Sequence, residues 1–371
     1  MKITVNRNHL LKTLTRSQGV VEKRTTVPIL SNVLLEATDQ GLVVSATDLE
    51  IGFKETVVAE IEDMGATTVS AFMLYDIVRK LKDGAPITIA FEKNEGKVTV
   101  ASGRSTFTLG CLPVEDFTPV KTGEDLPHRF TIEARKFIHL IDCTRFSMST
   151  DEARYFLNGI YFHVLEDKKN VLRAVATDGH RLAMTEVEVQ GVADLPAIIV
   201  GRKAINEIRK LIDQGEGELN ISLSENLLSC SYDGAVFTTR LIEGNYPAYA
   251  NVIPSANDND LHVETKEFAD AVDRVALLSA EKNRAVKLNI SPSSMTVSAV
   301  NAEQGSAVEE MEVEYSASPL QMGFNPKYLL DVAQHIKGDM LQFRLSNSAT
   351  PVVIQDKADQ QATYVLMPMR V

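Results

Sequence analysis

The sequence predicts an α+β protein of three similar domains, each with two helices packed on antiparallel strands. Three observations predict it. A pattern of strand, turn, strand, Asx turn and strand occurs three times, an amphipathic helix opens each copy, and a second helix divides each copy in half. A chain of 371 residues is long for one hydrophobic core and suits two or three.

The strands set the register. "ILSNVLLEATDQGLVVSATDLEIGFKETV" from Ile29, "YFLNGIYFHVLEDKKNVLRAVATDGHRLAMTEVEV" from Tyr155 and "NRAVKLNISPSSMTVSAVNAEQGSAVEEMEVE" from Asn283 share one order of apolar runs and polar turns. Asp48, Asp178 and Asn301 fall at the same turn, 130 and 123 residues apart, which is a domain-sized period rather than a solenoid repeat. Asx residues suit that place because the side chain bonds back to nearby amides. The Thr-Asp pair is therefore scaffolding, and any function of "TDGHRL" rests on His180 and Arg181, which only the middle copy carries.

The helices come next. "HLLKTLTRS", "ARKFIHLIDCTRF" and "TKEFADAVDRVALLS" open the copies. The second helices have apolar residues at helical spacing, as in Leu74, Ile77, Val78 and Leu81, or Ile205, Ile208, Leu211 and Ile212; the third is "PKYLLDVAQHIK". Gly84, Gly215 and Gly338 are expected to stop them in a left-handed conformation. Linkers at "PVKTGEDLPHRF" and "IPSANDNDLHVE" divide the chain into domains 1–125, 126–255 and 256–371.

Composition excludes several classes. Apolar and charged shares of 44% and 24% are those of a soluble globular protein. The amino terminus is too polar for a signal peptide and no apolar run reaches the ~18 residues of a membrane span, so a cytoplasmic protein without membrane contact is expected. Cys111, Cys143 and Cys230 lie too far apart for a redox pair or zinc cluster, and no metal or cofactor is expected.

Net charge is −12, yet the charge is segregated. The six helical segments sum to +10, which leaves −22 to strands and turns. Lys12, Arg16, Lys23, Arg24, Arg79, Lys80, Lys82, Arg202, Lys203, Arg209 and Lys210 supply most of the positive side. Basic helices from three related domains would make a track for phosphates, with acidic faces elsewhere repelling nucleic acid. There is no Trp, no zinc finger and no aromatic-rich basic strand, so the expected contact is with the backbone, independent of base sequence.

Catalytic signatures are missing: no phosphate loop, no GxGxxG after a strand, no HExxH and no GxSxG. Asp178, His180 and Arg181 leave a hydrolase or transferase as the alternative, but a His-Arg pair at a strand edge is far more often structural or part of a binding surface. No catalytic residue is assigned.

Ten stretches in order, among them "MKITVNRNHLLK", "VPILSNVLL", "SGRSTFTL", "VATDGHRLA", "GRKAINEI", "GFNPKYLLDV" and "YVLMPMRV", resemble the β subunits of bacterial DNA polymerase III, the sliding-clamp family, over the whole chain. The resemblance implies the DNA clamp fold: a head-to-tail dimeric ring around double-stranded DNA, helices lining the hole and sheets outside. It also implies a non-catalytic processivity factor for the replicative polymerase. The homodimer junction would use Arg104, Phe107 and Leu109 of one chain with Leu277 and Leu278 of the other.

Carried over position by position, a groove for short peptide motifs would use Arg154, Leu157, Thr177, Gly179, His180, Arg181, Leu182, Pro247, Val252, Asn325, Tyr328, Val365, Leu366, Met367, Pro368, Met369 and Arg370. Its partners would be the DNA polymerase III α subunit, the clamp loader, other polymerases and repair proteins. Adaptable Met side chains suit a groove with several partners. DNA contacts would come from Arg24, Arg79, Lys80, Arg202, Lys203, Lys282 and Arg284. Asn251, Ala349, Pro351 and Asp151 depart from the family pattern, the first three at the groove and the last at a DNA contact.

Overall fold

A computed structural model describes residues 1–92, 96–213, 215–279, 285–358 and 360–370. The chain packs as two compact units. One comprises Met1–Arg135, Asp194–Pro196 and Lys203–Leu241; the other comprises Lys136–Ala193, Ala197–Arg202 and Ile242–Val371. The middle copy contributes to both, because its strands continue the sheets of its sequence neighbours.

In the first unit, a five-stranded antiparallel sheet runs Ala59–Asp63, Lys2–Asn6, Pro86–Glu92, Lys97–Ser102, Ser105–Gly110. An eight-stranded one runs His128–Glu133, Glu218–Leu223, Leu227–Tyr232, Ala235–Arg240, Ile51–Val57, Gly41–Thr47, Asn32–Thr38, Gly65–Ser70. The joint between copies is the pairing of Ala235–Arg240 with Ile51–Val57, where Phe237 faces Phe53. Strand alternation sets which face is buried: Ile3 and Val5 point into the core while Lys2 and Asn6 are exposed.

The second unit has the matching joint. Its eight-stranded sheet runs Ile198–Gly201, Gly159–Val164, Val171–Thr177, Arg181–Glu188, Ala362–Leu366, Val352–Asp356, Met340–Leu345, Asn259–Glu264. Leu182 pairs with Val365 and Ala183 with Tyr364 across it. A four-stranded sheet runs Gly305–Glu312, Ser294–Asn301, Val286–Ser291, Leu320–Phe324. Continuous sheets satisfy strand edges that separate domains would leave bare.

All six predicted helices form: α1 (Arg7–Gln18), α2 (Ala71–Lys80), α3 (Ala134–Asp142), α4 (Arg202–Leu211), α5 (Thr265–Ala276) and α6 (Pro326–Ala333). Their apolar stripes are buried, as Leu74, Ile77 and Val78 are in α2 and Ile205, Ile208 and Leu211 in α4. Helices α5 and α6 close the core of the third copy, with Phe268 edge-on to Phe343 at 5.4 Å. Among the described residues no helix is long and apolar enough to cross a membrane.

The three Asx turns are built alike. Asp48 Oδ1 accepts from the amides of Glu50 and Ile51 at 2.9 and 2.6 Å, and Asp178 Oδ1 from those of His180 and Arg181 at 2.9 and 3.0 Å. Asn301 Oδ1 accepts from Glu303 and Gln304 at 3.0 and 3.2 Å. The residue after the Asx adopts φ 79 at Leu49 and φ 89 at Gly179. Leucine is strained there, and it is 51% exposed, so it gains little from burial. Leu49→Gly is expected to raise the unfolding free energy by about 0.5 kcal/mol, read as a higher Tm. An unchanged or lower Tm would mean that Leu49 packs more usefully than its exposure implies.

One glycine departs from expectation. Gly84 and Gly215 have φ 67 and φ 65, a few residues beyond the ends of α2 and α4, but Gly338 is not left-handed. Its amide donates to Asp356 Oδ2 at 2.8 Å, and a Cβ there would collide with Asp356 Oδ1. Close approach to a buried carboxylate, rather than a helix cap, requires glycine at 338.

Candidate functional site

The Thr177–Arg181 turn is the centre of the site. Thr177 Oγ1 donates to the Arg181 carbonyl at 2.6 Å and accepts from the Gly179 amide at 3.1 Å. Gly179 suits both its φ and its neighbour, because a Cβ would sit 2.7 Å from Arg154 Nη1. Arg154 in turn donates to Asp151 Oδ2 at 2.9 Å, which with the Ala153 amide holds the Asp151 carboxyl below the usual range.

Arg181 is buried, with 7% of its surface exposed, and all of its polar edge is engaged. Nε donates to Asp178 Oδ2 at 3.1 Å, Nη1 to Asp331 Oδ2 at 2.5 Å and Nη2 to the Phe146 carbonyl at 2.5 Å. Its guanidinium lies over the rings of Tyr328 at 4.3 Å and Phe146 at 5.4 Å. Arg181 thus fixes Tyr328 on α6 against the turn without itself being offered to a ligand. Asn325 has a comparable duty: its Oδ1 caps α6 by accepting from the Lys327 amide at 3.0 Å.

His180 is the exposed member of the pair. The Asp178 carboxylate is taken up by two amides and Arg181, so it does not orient the imidazole as a catalytic base requires. The His180 carbonyl instead accepts from the Met367 amide at 3.0 Å, and two residues later the Met369 amide donates to the Gly323 carbonyl at 2.7 Å. The segment after Leu366 therefore spans from the turn to the strand before α6. Val365 and Leu366 are buried in the sheet, while Met367 and Met369 remain 43% and 36% exposed. Pro368 is half-buried and Arg370 exposed.

Val175, Leu182, Val353 and Val365, the last of them in the strand that leads into this segment, form an apolar cluster with Tyr161, Met184, Tyr246, Tyr249 and Ile253 packed on it. Leu157 is buried. Pro247 and Val252 lie exposed on the stretch that carries Tyr246 and Tyr249. Tyr246 stacks on Tyr161 at 4.6 Å, and the Tyr249 hydroxyl lies 2.8 Å from His163 Nε2 and 3.1 Å from Arg173 Nη1. Arg173 also donates from Nε and Nη2 to the single oxygen Oε2 of Glu186. Sequence reasoning misses Asp331, Phe146, His163, Tyr246 and Tyr249. The "YPAY" spacing is the one local signal for the tyrosines.

The basic residues divide by what they bond. Lys203 Nζ donates to Asp48 Oδ2 at 2.5 Å and Glu22 Oε1 at 2.8 Å, and Arg202 donates to the carbonyls of Met148 and Ser149. Burial, then the charge of Arg181, lowers the Arg202 pKa. Arg79 pairs with Asp76 at 3.2 Å. Arg24 and Lys80 are exposed and have no ion-pair partner among the described residues. Lys282 and Arg284 lie outside the described residues.

Arg104, Phe107 and Leu109 flank or lie on Ser105–Gly110, an outer strand of its sheet. Leu277, just past α5, is 79% exposed, and Leu278 is half-buried. Cys230 is fully buried, which pushes its thiol up to about 12 and leaves it inert.

Three family models match the chain in order: the DNA polymerase III beta subunit N-terminal domain over residues 1–121, the central domain over 131–248 and the C-terminal domain over 250–370. The chain is 43% identical to the beta sliding clamp of Caulobacter vibrioides over 373 residues and 37% identical to that of Escherichia coli over 371, covering 100% of each pair. Among solved structures it resembles a DnaN sliding clamp from Bartonella birtlesii bound to griselimycin, with a TM-score of 0.96 and 43% identity over 100% of both chains. It also resembles the DNA polymerase III subunit beta of Pseudomonas aeruginosa, with a TM-score of 0.93 and 37% identity over 100% of both.

Proposed function

The chain belongs to the DNA polymerase III beta subunit family, the bacterial beta sliding clamps, and from that premise we propose that it encircles duplex DNA as a head-to-tail homodimer and tethers the replicative polymerase. It is a non-catalytic processivity factor acting in the cytoplasm. Its domains are 1–125, 126–255 and 256–371. A ring confers processivity by topology: it raises the polymerase's effective concentration at the primer end without tight DNA affinity. The reading rests above all on likeness in all three domains at 43% identity over the full length.

The outer strand Ser105–Gly110, near Arg104, and the acidic outer strand Gly305–Glu312 support a head-to-tail junction, since each is an edge that a second copy could cover. The exposed Leu277 and half-buried Leu278 suit the same junction. The apolar surface around Met367, Met369, Pro247, Val252 and Tyr328 serves as the groove for peptide motifs of the α subunit, clamp loader, other polymerases and repair proteins. Arg24, Arg79 and Lys80 are exposed and suited to passing phosphate contacts, whereas Arg202 and Lys203 act mainly within the protein. The test is primer extension with the cognate polymerase and clamp loader. Long products should increase on primed circular DNA and not on short linear DNA with open ends. Equal stimulation of both, or a monomeric mass by light scattering at micromolar concentration, would refute the ring.

A further inference from the structure

Several positive charges on the helices are paired within the protein, and one of the pairing groups takes two of them. Asp233 Oδ2 accepts from Lys12 Nζ at 2.6 Å and from Arg16 Nη2 at 2.9 Å, so a single oxygen lies between two cations from one helix. Arg16 is fixed in that position by the buried Glu55, whose Oε1 lies 2.5 Å from Nη1. Lys12, Arg16 and Asp233 border a cavity of about 670 Å3 that Lys210 also lines. Asp233 is presented at the tip of a hairpin by a two-residue turn, Asp233-Gly234, with φ 51 and φ 77.

Exposure separates this pair from the one that holds Lys203, and its two-cation geometry separates it from the equally exposed Arg79–Asp76 pair within α2. The side chain of Asp48, which holds Lys203, is 7% exposed; those of Asp233 and Lys12 are 51% and 57% exposed. An exposed ion pair is weak and readily exchanged for another anion. The oxygen of a phosphodiester has the charge and acceptor character that Asp233 supplies here. Asp213, Glu216 and Glu218 line the same cavity and repel a free anion, whereas a backbone phosphate is presented there at high effective concentration by the rest of an encircled duplex.

We propose that Asp233 is an internal counter-ion standing in the place of a DNA phosphate between Lys12 and Arg16, exchanged for the duplex backbone and keeping its grip weak enough for sliding. This rests on the DNA-encircling reading above. The role is a tuning one: Asp233 competes with the ligand for the two cations.

Asp233→Asn removes the charge and keeps the turn, because Asn-Gly favours the same backbone conformation. Binding of a fluorescent 30-base-pair duplex to the full-length protein is measured by anisotropy across a salt series. Asp233→Asn is expected to bind about five- to tenfold more tightly at low salt, with a salt slope steeper by about one to two per chain. Lys12→Ala in the Asp233→Asn background should remove most of that gain, and inorganic phosphate at millimolar concentration should not compete. Equal affinity and slope for wild type and Asp233→Asn would overturn the inference alone. So would an equal gain from Asp39→Asn, an exposed acid that pairs with no cation among the described residues, or strong competition by free phosphate. Failure of both proteins to bind any duplex at low salt would overturn the DNA reading and this inference with it.

Discussion

Arg181→Ala is expected to lower the unfolding free energy by about 3 kcal/mol and to weaken binding of a labelled peptide motif from the proposed partner, the polymerase α subunit, more than tenfold. The size reflects the groups left behind. Removing the guanidinium leaves the carboxylates of Asp178 and Asp331 close together without their shared cation, and the Phe146 carbonyl without its donor. A buried pair contributes little net stability when intact, but breaking it strands an uncompensated charge. Tyr328 also loses the cation against its face, so the start of α6 is freed from the turn.

Arg181→Lys should recover only part of this, since an ammonium cannot reach three acceptors in one plane. Changing Asp331 to Asn in the Arg181→Ala background should restore some stability by removing one stranded charge, and His180→Ala should leave stability unchanged because the ring is exposed. Urea unfolding measures each. A loss below about 1 kcal/mol for Arg181→Ala would mean that water or rearrangement satisfies the two carboxylates.

The burial of Arg181 and its partners are not legible in the sequence for a physical reason. Its partners, Asp331 and Phe146, stand 150 and 35 positions away, beyond the reach of any local pattern. The Asx turns at Asp48, Asp178 and Asn301 are legible because their chemistry closes within three residues. Helix positions are legible on the same ground: the stripe of Leu74, Ile77 and Val78 is a property of one segment.

Two things that depend on distant pairing are not legible. The sheets run from copy to copy, so that Phe237 faces Phe53 and Leu182 faces Val365. A charge count along the helices also treats each Lys and Arg as available, whereas Lys203 is held by Asp48 and Glu22, and Lys12 by Asp233. Net charge per segment measures long-range attraction, but which cation can reach a phosphate is decided by tertiary contacts.

Ending the chain after Leu366 is expected to weaken peptide binding strongly while leaving the fold and the proposed dimer intact. The last strand, Ala362–Leu366, keeps its pairing with Arg181–Glu188, so the sheet does not depend on the residues beyond it. The backbone bonds lost are those of Met367 to the His180 carbonyl and Met369 to the Gly323 carbonyl, worth about 1 kcal/mol each. Because Met367 and Met369 are 43% and 36% exposed, more than half of each side chain is buried and lost with the two bonds, and stability should fall by about 4 kcal/mol. A bound peptide would cover those same methionines. Covering the rest of two Met side chains is worth about 2 to 3 kcal/mol, which corresponds to roughly a 30- to 150-fold loss of affinity. Primer extension on circular DNA should then drop to the level without the protein, although light scattering still reports a dimer. Retention of peptide affinity within threefold of the full chain would place the binding surface elsewhere, on the Tyr246 and Tyr249 side of the apolar cluster.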